Sequence, residues 1–169
     1  MSIRARFAPA LMLAAASAFA PNAQSQELTF TATAVMPVTI EIAASCRVRA
    51  TDLSFGSYAG NSGTPLQGQT VIELICTPGL DVEIGLDAGQ GSGATVQNRS
   101  MMSGTDALHY GLYQDAARSL NWGNTAGVDT AHAQGIGASQ TVTVFGQIPP
   151  RQQVAPGQYG DIITVHVYF

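Results

Sequence analysis

Among its 169 residues the sequence has no lysine, only two cysteines and a single tryptophan. Its seven cations are therefore all arginine, set against eleven acids for a formal net charge of −4. A nucleic-acid binder needs a clustered basic surface to meet phosphates, so that class is excluded. Two cysteines cannot build a disulfide-dense scaffold or a four-thiolate metal cluster. The histidines are as sparse. His109 flanks Tyr110 in an apolar stretch, His132 lies in a Gly/Ala-rich loop, and His166 sits on the polar parity of the last alternating segment. No Gly-x-Ser-x-Gly elbow occurs, and the run Gly89-Gln90-Gly91-Ser92-Gly93 precedes neither a helical pattern nor a lysine. Asp106, Asp115 and Asp161 are candidates for a carboxylate acid–base pair, but Asp115 and Asp161 sit beside Gly or Ala, where a turn-stabilising carboxylate is the better reading. No catalytic, cofactor or metal constellation emerges, so the expectation is a protein that is not an enzyme.

Long apolar runs are equally scarce. The one present, Phe7–Ala20, follows Arg4 and Arg6 and is followed by small residues, the layout of a secretory signal peptide. It falls short of the roughly 20 residues a membrane-spanning helix needs. Cleavage after Ala20 would leave Pro21 at the first mature position. Ala23-Gln24-Ser25 offers small residues at both required sites, which puts the mature start at Gln26. The expectation is export through the periplasm and no membrane insertion. About 144 residues then remain of the 169, enough for one domain with a real core.

What the chain does have is alternation. From Leu28 to Cys46 every even position is apolar, and the intervening positions are mostly Thr or Glu. Period two is one face of a β-strand. At about 3.3 Å per residue the segment would reach roughly 60 Å, against about 17–20 Å for an ordinary strand. Pro37 also breaks the ladder, because it has no N–H to give. The segment reads as two strands in series: Val38–Arg49 for this molecule, and Leu28, Phe30, Ala32, Ala34 and Met36 as the apolar row of a strand meant for another.

The remainder is short strands and turn chemistry. Leu53–Tyr58, Thr70–Cys76, Asp81–Asp87, Met101-Met102, Leu108–Tyr113, Leu120–Trp122, Thr141–Ile148 and Tyr159–Phe169 are the strand candidates. Loops fall at Ala59–Gly68, Ala88–Thr95 and Gly123–Ala138. Such spacing predicts an all-β sandwich. In an exported protein Cys46 and Cys76 are expected to bond to each other; free thiols or a metal site are the alternatives, the latter disfavoured by the lack of a nearby histidine.

Several segments together carry a resemblance: Cys46-Arg47-Val48, Leu53-Ser54-Phe55-Gly56-Ser57-Tyr58, Ile75-Cys76-Thr77, Ile84–Gly89, Leu108–Arg118, Trp122-Gly123, Thr141–Gly146 and Ala155–Asp161. In this order they resemble the spore coat protein U domain family, which includes subunits of archaic chaperone–usher pili. The resemblance implies an incomplete immunoglobulin-like β-sandwich lacking its last strand, filled by a donor strand from a neighbouring subunit. It implies a disulfide placed as Cys46 and Cys76 are. It also implies three kinds of partner: a periplasmic chaperone, an outer-membrane usher and identical or homologous subunits. The chaperone would capture the edge that bears Ile163, Val165, Val167 and Phe169. Residues 1–25 are thus expected to be a signal peptide, 26–37 a donor segment and 38–169 the pilin domain, for a fibre subunit serving adhesion or biofilm formation at the cell surface. A spore or cell-surface coat component is the alternative. A tip adhesin is a further one, for which Tyr58, Tyr110, Tyr113 and Trp122 are candidate sugar-site aromatics, although packing is their more ordinary use.

Overall fold

A computed structural model describes residues 31–169, and every regular element among them is a β-strand. The proposed signal peptide, Leu28 and Phe30 lie outside the described residues. The chain divides into two compact units, Met1–Ile40 and Glu41–Phe169. In the first, residues 31–40 are exposed and carry no strand, Ala32, Ala34 and Met36 included.

The second unit holds eight strands: β1 (Cys46–Ala50), β2 (Leu66–Cys76), β3 (Asp81–Leu86), β4 (Arg99–Ser103), β5 (Asp106–Tyr113), β6 (Ala131–Gln134), β7 (Gln140–Ile148) and β8 (Val165–Tyr168). They form a five-stranded sheet in the order β1-β2-β7-β5-β4 and a three-stranded sheet in the order β6-β3-β8, with every pairing antiparallel. Alternation drives the packing. Ile72, Leu74 and Cys76 of β2 meet Val82, Ile84 and Leu86 of β3 in one core, while their odd-numbered neighbours in β2 face outward. Trp122 is fully buried in that core, and its indole N–H donates to the Ile84 carbonyl at 2.7 Å. Arg99 is buried as completely. Its guanidinium donates to the carbonyls of Asp87, Val96, Leu86 and Trp122 at 2.7–2.8 Å, tying the ends of both sheets together.

Five expectations need correction. The strand read as Val38–Arg49 begins only at Cys46; residues 38–45 are exposed and lie outside any strand, although Ser45 is bonded to Thr77 through its N–H and its carbonyl. Leu53–Tyr58 is not a strand. Gly68 and Gly146 face each other across β2 and β7, and their missing side chains leave a shelf on which Leu53 and Phe55 lie; a Cβ on Gly146 would come within 2.7 Å of both. The alternation there reflects packing onto that shelf, without a ladder. Within the predicted loop Gly123–Ala138, β6 pairs with β3 and carries His132; its sequence Ala-His-Ala-Gln has too little apolar character to stand out. The closing strand is Val165–Tyr168 rather than Tyr159–Phe169, because Gly160 turns aside to bridge Met102 in both directions. Leu120–Trp122 contributes a single bridge, Asn121 to Tyr113.

Candidate functional site: a groove between two unpaired edges

The two sheets part along one side. There β1 ends the large sheet and β8 ends the small one, each with a partner on one side only. A groove of about 360 Å³ opens at the pole where β1 ends and β8 begins, floored by Ile72, Leu112 and Val144 and reached by Ala50 of β1, Phe55 and Val165 of β8. Cys46 stands opposite Cys76, the turn Thr77–Leu80 returns the chain into β3, and Tyr168 stands opposite Glu83. Hence β1 starts, and β8 finishes, at the same pole of the sandwich, and the two free edges run in opposite directions. Any strand laid between them runs parallel to one and antiparallel to the other.

Of the expected capture edge, Val165 and Val167 lie on β8 and Ile163 just before it, all three half-buried against the core. Phe169 follows the strand and is 61% exposed. The approach to β8 is held by two carboxylates. Asp161 accepts the Tyr110 hydroxyl at 2.7 Å through Oδ2 and the N–H groups of Gln90 and Ile162 through Oδ1. Burial, reinforced by the bond to Asp161, pushes the Tyr110 hydroxyl well above the usual tyrosine range. Asp87 Oδ1 accepts the N–H groups of Gly89 and Thr164 at 3.0 and 2.9 Å. Burial works to raise the Asp87 carboxyl, but the bonds from Thr164 and Gly89 outweigh it and hold the group below its ordinary value. Asp161 thus does turn and loop work. So does Asp115, which accepts the N–H groups of Ser119 and Leu120.

Cys46 and Cys76 form a disulfide across the first rung between β1 and β2, so the edge strand is covalently tied to the core strand behind it. The aromatic candidates are packing residues: Trp122 and Tyr110 are buried, Tyr113 is half-buried, and half-buried Tyr58 donates to the Pro149 carbonyl. Ser100 Oγ and His109 Nδ1 sit 2.9 Å apart as a cross-strand pair. With Ser100 only 2% exposed, the hydroxyl cannot meet a substrate. Among the described residues no group of three or more His, Cys, Asp or Glu is arranged to hold a metal.

One feature escaped the sequence reading. Arg47 and Arg49 pair with Ile75 and Glu73, which flank the core positions of β2, so both guanidiniums project from the outer face of the free edge strand. Their parity relative to Cys46 was the available signal.

The sequence model of the Spore Coat Protein U domain matches residues 32–166. The chain belongs to that family. It is 34% identical over 128 residues to Protein U of Myxococcus xanthus, covering 69% of this chain and 71% of that protein. Among solved structures it resembles the CsuC–CsuE chaperone–tip adhesion subunit pre-assembly complex from archaic chaperone-usher Csu pili of Acinetobacter baumannii. That likeness has a TM-score of 0.52 at 20% identity and covers 76% of this chain but only 40% of the matched one. It establishes a shared immunoglobulin-like sandwich. The minor tip subunit HdaB of the E. coli Hda pilus also matches, with 17% identity over 74% of this chain and 82% of that one, at a TM-score of 0.39, which is too low to argue from.

Proposed function

We propose that this chain is a structural subunit of an archaic chaperone–usher pilus, polymerised by donor-strand exchange on the cell surface. The observation that carries this reading is an apolar-floored groove at the adjoining ends of β1 and β8, two edge strands with one partner each. Such an arrangement invites edge-to-edge aggregation unless a strand covers it. The chain supplies a fitting strand: Leu28, Phe30, Ala32, Ala34 and Met36 alternate ahead of Pro37, and nine residues from Leu28 to Met36 extend to about 30 Å. Backbone pairing at the edges with apolar side chains in the groove is recognition by β-augmentation. Each subunit then gives a strand to one neighbour and takes one from another, a heterologous contact that grows an open filament.

Before assembly the same groove needs a guardian. A periplasmic chaperone lending a strand beside Val165–Tyr168 supplies one, and an outer-membrane usher is the corresponding exit. The likeness to a chaperone–subunit pre-assembly complex supports this order of events. Adhesion or biofilm formation is the service the fibre performs. A spore or cell-surface coat component is the second reading, favoured by the similarity to Protein U; it uses the same groove in a layer instead of a thin fibre.

Deleting Gln26–Met36 tests the reading. The truncated chain, co-expressed with its chaperone, is expected to elute as a chaperone complex on size exclusion and to form no polymer. Polymers at normal yield would overturn the donor assignment.

A further inference from the structure

Resting on that reading, we infer that Arg47 and Arg49 are an electrostatic receptor for Glu27 of the incoming subunit, and that this contact selects the donor segment. Both arginines are exposed on the outer face of β1, the edge strand beside the groove. The other arginines of the sandwich are placed differently. Arg99 is buried, Arg118 lies over the Phe145 ring with its guanidinium donating to the Gly146 and Ala116 carbonyls, and Arg151 sits in the turn after β7. Lysine is absent from the chain. The free edge of β1 is therefore a local positive site on an acidic protein. Glu73, across from Arg49, keeps its negative charge while receiving the Ser139 hydroxyl and offsets part of this field, which leaves Arg47, opposite Ile75, as the less compensated cation.

The donor segment matches it. With its even positions in the groove, its odd positions Glu27, Thr29, Thr31, Thr33 and Val35 face outward on the same side as Arg47 and Arg49. Glu27 is the one charged residue among them and stands at the leading end. Running parallel to β1, the segment carries Glu27 to the Cys46 pole, beside the two arginines. Running the other way, it carries Glu27 past Ala50 toward Asp52 and Asp161, which line that end of the groove. Opposite charges steer encounter and like charges reject it, so the pair acts on the rate and direction of insertion more than on final stability.

Charge reversal in the intact chain tests this. Assembly is followed by light scattering at low salt. Glu27→Arg is expected to slow it about tenfold, as is the double change Arg47→Glu with Arg49→Glu, and all three changes together in one chain are expected to restore the native rate. At 1 M salt, where screening acts within ~3 Å, wild type and Glu27→Arg are expected to converge. Phe30→Asp, which removes an apolar donor side chain, separates the two levels of the claim. If Phe30→Asp assembles like wild type, the donor-strand reading falls and this inference with it. If Phe30→Asp blocks assembly while Glu27→Arg leaves the rate unchanged, or if the triple variant stays slow, the arginine receptor alone is refuted.

Discussion

The two sides of this sandwich handle their strand edges in opposite ways. At the far ends of the two sheets, β4 is bridged by Gly160 through two backbone hydrogen bonds, and β6, four residues long like β8, pairs with β3. Arg99 and Trp122 lock the adjoining loops to the core through five hydrogen bonds to carbonyls. On the open side, β1 and β8 each have one strand partner among the described residues, and the groove opens where Ala50 ends one and Val165 begins the other. Natural sheets blunt their edges by shortening, covering or charging them. Here the Gly160 bridge covers β4, whereas β1 and β8 are left bare beside the groove. The difference locates function: the closed side gives the domain its stability, and the open side leaves room for a strand that arrives later.

Breaking the closed side is expected to cost most. Arg99→Ala strips the partner from four carbonyls, two of them in buried bonds, and leaves a cavity, a loss of about 4 kcal/mol measured by urea denaturation. A cost below about 1 kcal/mol would mean that the buried guanidinium is not the clamp. The disulfide comes next, since it ties an edge of the open side to the core. Replacing Cys46 and Cys76 by Ser removes a cross-link with a sequence separation of 30, worth roughly 3–4 kcal/mol in the chain-entropy model. The shelf under the groove is a finer probe: Gly146→Ala pushes against Leu53 and Phe55 and is expected to cost about 1–3 kcal/mol while narrowing the groove, read as a lower urea midpoint together with slower assembly. The smallest effect is expected at Asp87. Its folded value is depressed, so the stability it contributes is complete above the unfolded value near ~3.9 and is lost as pH falls through the folded one. Asp87→Asn is therefore expected to flatten the acid limb of a plot of urea midpoint against pH, and an unchanged limb would reassign it.

Much of this architecture was legible in the residues because alternation and burial coincide in β2, β3, β5 and β7, where one face meets the core. The edge row of Val165 and Val167 was legible for the same reason, and the disulfide because two cysteines in an exported chain are expected to pair. Three features were not. Leu53 and Phe55 alternate like a strand yet owe their pattern to two glycines that only β2–β7 pairing brings together. β6 gives no periodic signal because it is short and mostly Ala and Gln. Arg99 read as one cation among few, since nothing local announces that the carbonyls of Leu86, Asp87 and Trp122 converge on it. In each case the missing information is long-range pairing, which a local period cannot carry.

The central claim is that the open side takes up a strand between β1 and β8. Amide hydrogen exchange of the intact chain, with and without a peptide of residues 26–36, tests it most directly. The account predicts that the peptide slows exchange in Cys46–Ala50 and Val165–Tyr168 and leaves the β6 edge, Ala131–Gln134, unchanged. Unaltered exchange at β1 and β8, or protection appearing at β6 instead, would contradict it.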